Sequence, residues 1–382
     1  MTTAPIVFTC NSAFGVANFR GGVIRALVHK GYRVAVVAPA DATQEARLRA
    51  LGAEFVAWAV SGRGASLVNE CDSVRELIAI YQRLRPALCF HFTIKAVIYG
   101  AIACRWLHLP GISVITGLGY VFLNSSWVSW AARILYRQTL AWSHEIWFLN
   151  DDDRETFVRL ELVGSLPVRM LPGEGINLQH FCAPRQAPGE GSAGRTFLMV
   201  ARLLRDKGVL EFVEAARRVR AARPGTRFLL LGPAGADNPS AISVEQVRAW
   251  QDEGVIEYLG VAEDVRPTLA KADCVVLPSY REGIPRSLLE AAAMQRPLIA
   301  TDVPGCRQPV IEGESGLLCR PRDAGDLAQK MIAITDLSPQ ALRDMGACGR
   351  ALMEQRFDEK IVIGHYTDAL ARILDTSLLP AV

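Results

Sequence analysis

The chain has 382 residues, of which 50% are hydrophobic and 21% charged, so it suits about two globular domains and excludes a disordered or fibrous protein. Its nine cysteines are scattered, odd in number and without a C-x-x-C pair, which argues against a disulfide framework or a zinc site and for a reducing compartment. Net charge is +3 but uneven: residues 1–140 hold 14 Lys and Arg against 6 Asp and Glu, a basic surface suited to an anionic bilayer, and no lysine-rich run or nucleic-acid module points to nucleic acid.

In chain order, residues 6–9 form an apolar run with no charged leader before it, which predicts a first strand rather than a signal peptide. Further strand-like runs at 33–37, 54–58, 87–91, 112–116 and 145–149 alternate with helix-like runs such as 21–29 and 43–51. That alternation predicts a parallel, doubly wound sheet. Gly15, Gly117 and Gly119 mark loops where backbone approaches a ligand or simply turns. His91 closes the fourth run, and Thr93 and Lys95 follow it as candidates for the acceptor side. The apolar stretches 96–104 and 111–123 are short of the roughly 20 residues that span a bilayer, so no crossing is expected.

Residues 126–142 combine tryptophans and arginines without an acid. At helical spacing Trp127, Trp130 and Ile134 fall near one face and Arg133 and Arg137 on another, the composition of a helix lying in a membrane interface or of a core helix. Asp151-Asp152-Asp153 contains a D-x-D pattern; after Asn150 these acids read as a helix cap and dipole partners rather than metal ligands.

The Gly-, Pro- and Ala-rich stretch 184–195 reads as a linker. It divides a first domain, 1–185, from a second, 186–357, with 358–382 as a closing helix. The second half repeats the scheme with strands at 196–200, 227–231, 256–259, 274–277, 297–300 and 316–319. Arg202 and Lys207 follow the first of these, where a two-pronged guanidinium and a mobile ammonium suit a diphosphate. The segment Ser279-Tyr280-Arg281-Glu282-Gly283-Ile284-Pro285-Arg286-Ser287-Leu288-Leu289-Glu290 joins a strand's carboxyl end to a helix's amino end, where open α/β sheets bind ligands. Pro285 suits a first helical turn, and backbone amides from Gly283 through Ile284 to Arg286 face an anion. Glu282 lies in the turn and Glu290 farther along the helix. An ionised carboxylate accepts hydroxyl donors, and a nucleotide sugar presents hydroxyls on both sides of a diphosphate.

These residues, with Val200 through Gly208, Leu229-Leu230-Leu231-Gly232 and Tyr258-Leu259-Gly260, resemble the retaining glycosyltransferases of the GT-B fold, family 4-like. The N-terminal stretches Asn18-Phe19-Arg20, His91 through Gly100 and Thr116 through Phe122 are similar to the branch that adds sugars to polyprenyl-diphosphate-linked acceptors, N-acetylgalactosaminyltransferase-like. The resemblance implies two Rossmann-like domains facing across a cleft, with the closing helix packed back on the first. It implies that Arg202 and Lys207 neutralise the departing diphosphate, that Glu290 holds the ribose hydroxyls, and that Glu282 and His91 lie by the donor sugar. The chain departs from many relatives in that Gly21-Gly22 follows Asn18-Phe19-Arg20 instead of preceding the first helix.

The expected activity is therefore a metal-independent, retaining transfer of an N-acetylhexosamine from a UDP-sugar to an undecaprenyl-diphosphate-linked sugar. No cofactor is expected beyond that donor, and the expected place is the cytoplasmic face of the plasma membrane. A nucleotide-sugar epimerase of the same fold and a catalytically silent membrane-associated scaffold are the alternatives. An epimerase needs acid and base groups on both sides of the sugar, which the Glu282 and Glu290 arrangement does not supply.

Overall fold

The computed structural model describes residues 4–60, 67–117, 127–183, 194–236 and 238–376. They fall into two compact units, Met1–Gly175 with Glu359–Val382, and Ile176–Asp358.

The first unit contains β1 (Ile6–Cys10), α1 (Ala13–His29), β2 (Val34–Ala38), α2 (Ala42–Ala50), β3 (Glu54–Ala57), α3 (Leu67–Leu84) and β4 (Leu88–Phe92). It continues with α4 (Ile94–Leu107), β5 (Gly111–Ile115), α5 (Trp127–Leu140), β6 (Glu145–Phe148), α6 (Asp151–Arg159) and β7 (Val168–Met170). The seven strands are parallel in the order β3-β2-β1-β4-β5-β6-β7. Most are buried throughout, as strands covered on both faces must be, and each fully buried Val, Leu or Phe contributes about 1.5–3 kcal/mol. Successive strands are added toward one edge from β1 to β3 and toward the other from β4 onward, so the carboxyl ends of β1 and β4 form this unit's switch point.

The second unit contains β8 (Thr196–Val200), a 3₁₀ turn at Arg205–Lys207, α7 (Val209–Ala222), β9 (Arg227–Leu231), α8 (Val244–Asp252), β10 (Glu257–Tyr258) and α9 (Arg266–Leu269). Then come β11 (Cys274–Leu277), α10 (Arg286–Ala293), β12 (Leu298–Thr301), β13 (Gly316–Cys319), α11 (Ala324–Thr335) and α12 (Pro339–Leu352). Its six parallel strands run β10-β9-β8-β11-β12-β13, and the switch point lies between β8 and β11.

The chain changes unit earlier than the linker composition indicates. Residues 176–183 belong with the second unit because Ile176 N–H donates to Phe357 O at 2.8 Å and Arg350 Nη1 to Phe181 O at 2.8 Å. The last helix, α13 (Glu359–Thr376), returns to the first unit, where Tyr366 stacks among Phe8, Phe90 and Trp147. Gly22 lets α13 approach α1: a Cβ there would stand 2.4 Å from Glu359 Oε2. Asn150 caps α6 through Asp153 N–H at 2.8 Å, so the D-x-D acids serve a helix end. Trp127 and Trp130 have side chains outside the described residues, as do Gly119 and most of the stretch 184–195.

Candidate active site

The switch point of the second unit brings together the two motifs that lie far apart in sequence. Because β8 and β11 are neighbours, the connection 201–208 and the turn 278–285 leave the sheet side by side. Tyr280 N–H and Ser279 Oγ both donate to Asp206 O, at 2.9 and 3.1 Å. Gly208 has φ +75, and a Cβ there would stand 2.1 Å from Pro278 O, so only glycine fits. From the other side Thr301 Oγ1 donates to Ser279 O, and Glu282 N–H donates to Pro304 O at 3.3 Å. Gly305, with φ +81, makes the matching close approach: a Cβ would lie 2.3 Å from Glu282 O. Tyr280 anchors the turn further. Its hydroxyl donates to Glu211 Oε1 at 2.7 Å, Arg322 covers its ring at 4.6 Å, and burial with that carboxylate raises its phenol to about 12.

The charged side chains pair within this frame. Lys207 Nζ and Glu282 Oε1 form an ion pair with only 18% and 15% of their side chains exposed. Arg286 Nε bonds Glu290 Oε1 at 2.8 Å, one helical turn apart. Burial raises the Glu290 carboxyl above its ordinary range, and Arg286 partly opposes that rise. Arg202 is exposed and its side chain has no bonded partner among the described residues. Helix α10 begins after Pro285, which sits at the cap position rather than in the first turn and offers neither an N–H nor a polar side chain. Pro285 itself thus gives the first amides of α10 no side-chain cap, while Ile284 packs on the core beside them. The result is two ion pairs, Lys207 with Glu282 and Arg286 with Glu290, beside a helix amino end whose cap residue makes no side-chain bond.

The family models make the assignment. The model described as group 1 glycosyl transferases matches residues 194–336, and the model described as a glycosyl transferase 4-like domain matches residues 14–174. The chain belongs to these glycosyltransferases. The N,N'-diacetylbacillosaminyl-diphospho-undecaprenol alpha-1,3-N-acetylgalactosaminyltransferase of Campylobacter jejuni is 27% identical over 97% of this chain and 99% of its own. The UDP-Gal:alpha-D-GlcNAc-diphosphoundecaprenol alpha-1,3-galactosyltransferase of Escherichia coli is 24% identical over 72% of this chain and 73% of its own. Among solved structures, HepE of Anabaena in complex with UDP-glucose superposes with a TM-score of 0.79 at 17% identity, covering 97% of this chain and 100% of that one. The two Rossmann-like sheets thus place the fold in the GT-B class.

In the first unit of this glycosyltransferase the expectation for His91 fails. His91 lies inside β4, is 1% exposed, and packs beneath α4, with Nε2 3.2 Å from Tyr81 Oη and 3.8 Å from Cys104 Sγ. A strand covered on both faces has no solvent side to offer it, so its side chain belongs to the core. Gly15 is likewise not in a loop: it is in the first turn of α1, its N–H donating to the cap residue Ser12 at 3.1 Å. Arg20 holds that turn, donating to Gly15 O at 3.1 Å and Glu174 Oε1 at 2.5 Å while lying 3.9 Å above the Phe92 ring.

Thr93, at the switch point, has φ +73 and a buried hydroxyl without a hydrogen bond, a strained position for a β-branched residue. Lys95 bonds Glu70 Oε1 at 2.6 Å, and Tyr99 Oη donates to the same carboxylate. Sequence reasoning missed Glu70 and Tyr99, which no spacing rule links across α3 and α4. It also missed the Arg286 side chain, although the four-residue step to Glu290 signals the pair.

Proposed function

We propose that the protein transfers a hexosamine-type sugar, with retention of anomeric configuration and without a metal, from a UDP-sugar to a polyprenyl-diphosphate-linked sugar acceptor. The observation that carries this reading is the two ion pairs, Lys207 with Glu282 and Arg286 with Glu290, in the turn and first helical turns at the start of α10, whose cap residue Pro285 offers no side-chain bond. Arg202 and Lys207 take the diphosphate, Glu290 accepts the two ribose hydroxyls, and Glu282 accepts from the donor sugar. Amides from Gly283 to Arg286 receive the remaining oxygens. When the sugar–phosphate bond breaks, negative charge grows on the leaving diphosphate, and fixed cations with an oriented helix end stabilise it without proton transfer. Lys207 is already held by Glu282 at that place. The donor's phosphate and hydroxyl groups re-partner the two charges instead of recruiting them from solvent.

The acceptor class rests on the likeness to the Campylobacter transferase, whose name specifies an undecaprenol diphosphate, over nearly the whole chain. Association with an anionic inner-membrane surface is part of the same proposal. No helix among the described residues is long and apolar enough to cross a membrane. The basic first unit exposes Trp106 and Trp142 at 71% and 43% and, on α5, Ile134 and Leu135, as an interfacial face requires.

The test is release of nucleoside diphosphate by purified protein with added chelator, across UDP- and GDP-sugars, with and without a bacterial polyprenyl-diphosphate-sugar extract. Turnover of one UDP-N-acetylhexosamine only with the lipid is the expected result. Silence that magnesium or manganese relieves and zinc alone does not would sink the metal-independent mechanism, and silence throughout in protein kept zinc-replete would sink the transferase reading.

A further inference from the structure

We propose that Cys89, His91 and Cys104 are the protein ligands of one structural thiophilic d10 cation, zinc in the first instance, inside the first unit. Alternation along β4 puts Cys89 and His91 on one face, and α4 covers that face and brings Cys104 to it. The three ligand atoms lie within 4.8 Å of one another and all three residues are buried. His91 Nε2 and Cys104 Sγ are 3.8 Å apart. Two ligands on one tetrahedral zinc, with bonds of about 2.0 Å to nitrogen and about 2.3 Å to sulfur, stand roughly 3.5 Å apart. For this pair, closing on an ion needs a shift of a few tenths of an ångström.

The imidazole is already aimed. A Cβ on Gly100 would stand 2.2 Å from His91 Cδ2, and one on Gly111 3.0 Å from Cε1 and 3.2 Å from Cys104 Sγ. Two residues without side chains thus make the slot that the ring occupies. The Tyr81 hydroxyl lies beside the cluster, 3.2 Å from the same Nε2 and 2.5 Å from Thr9 Oγ1.

Two thiolates and a neutral imidazole are a soft set that suits zinc or copper(I) and not calcium or magnesium. Binding displaces two thiol protons to solvent, and two thiolates balance a divalent ion, so the loaded cluster is neutral and tolerates burial. The strand-and-helix spacing explains why no C-x-x-C pair announces the site.

The full-length protein, purified from zinc-supplemented medium and desalted, should carry about one equivalent of zinc by mass spectrometry of the metal. After chelation, Co²⁺ should give a thiolate-to-cobalt charge-transfer band, and zinc should raise the melting temperature. Cys104→Ser should lose the metal and the band, while Cys319→Ser, a buried cysteine in the other unit, should keep both. Wild-type protein with less than about a tenth of an equivalent and no cobalt band overturns the proposal, as does a native Cys89–Cys104 disulfide. Because the wild-type result decides, failure of Cys104→Ser to fold does not protect the idea.

Discussion

The two Rossmann-like units have the same strand order over six strands but put different chemistry at their switch points. In the second unit the turn between β11 and α10 carries paired charges at 12–20% side-chain exposure around an uncapped helix. In the first, the equivalent connection from β4 to α4 begins with a strained Thr93 and leads to one ion pair, Lys95 with Glu70. Topology thus selects the place where a ligand binds, and local side chains select which ligand. A diphosphate leaving group needs fixed positive charge, and of the two switch points the second unit's holds two paired cations against the first unit's one.

The sharpest way to break this contrast is Lys207→Ala. It removes a cation from the proposed leaving group and leaves Glu282 an unpaired carboxylate at low exposure. By analogy with loss of one preorganised electrostatic group, turnover should fall about 10²–10³-fold, measured as steady-state nucleoside diphosphate release. A Lys95→Ala control in the first unit should fall far less. Equal losses would show that charge at both switch points serves the leaving group.

Next in size is Gly305→Ala, which tests whether the turn itself, rather than its charges, is preorganised. The new Cβ meets the backbone oxygen of Glu282 and must adopt a positive φ, so the turn has to move. A left-handed non-glycine residue costs of order 1–3 kcal/mol, and the backbone clash adds to it. Urea unfolding should show that loss together with a rise in the donor KM. Full stability with normal KM would mean that the contact is not tight.

These features were unequally legible in the sequence. Glu282, Glu290, Arg202 and Lys207 stood out because strand, turn and helix signals flank them, and strand order then brings the two loops together. The strands 6–10 and 274–277 were readable as unbroken apolar runs. Val168–Met170 was not, since this short edge strand is only partly buried and has no apolar run. The start of α1 at Ala13 was hidden by Gly15, Gly21 and Gly22, which read as loop punctuation, although Ser12 caps the helix. His91 was misplaced because a doubly wound sheet buries both faces, and alternation along β4 cannot say whether a histidine's face is open. Glu70, contributed by α3 to Lys95 of α4, has no local signal at all.

Glu290→Gln should have a smaller effect, and pH separates its two contributions. Burial raises the folded carboxyl above its ordinary value, so protonation favours the donor-free fold: that contribution is present below the unfolded carboxylate value and is lost as pH rises through the folded one. Accepting two ribose hydroxyls requires the ionised form. UDP binding should therefore weaken as pH falls through the raised value, in a window above ordinary carboxylate titration. Titration calorimetry should find Glu290→Gln about tenfold weaker at neutral pH, the worth of roughly one charge-assisted hydrogen bond, and flat across that window. A wild-type curve as flat as the variant's would remove Glu290 from the ribose.

The smallest expected effect belongs to Gly22→Ala in the first unit. Alanine in a helix interior gains about 0.5–1 kcal/mol over glycine. Against this, the Cβ would lie 2.4 Å from Glu359 Oε2, the far end of a flexible side chain, with the Glu359 carboxyl carbon at 3.3 Å. Rotating that carboxylate aside costs little, whereas moving backbone, as at Gly305, does not. The two terms should nearly cancel, giving a change within about 1 kcal/mol in urea unfolding and unchanged turnover. A loss as large as that of Gly305→Ala would mean that Glu359 is fixed in place, making the seam between α1 and α13 as rigidly determined as the glutamate turn.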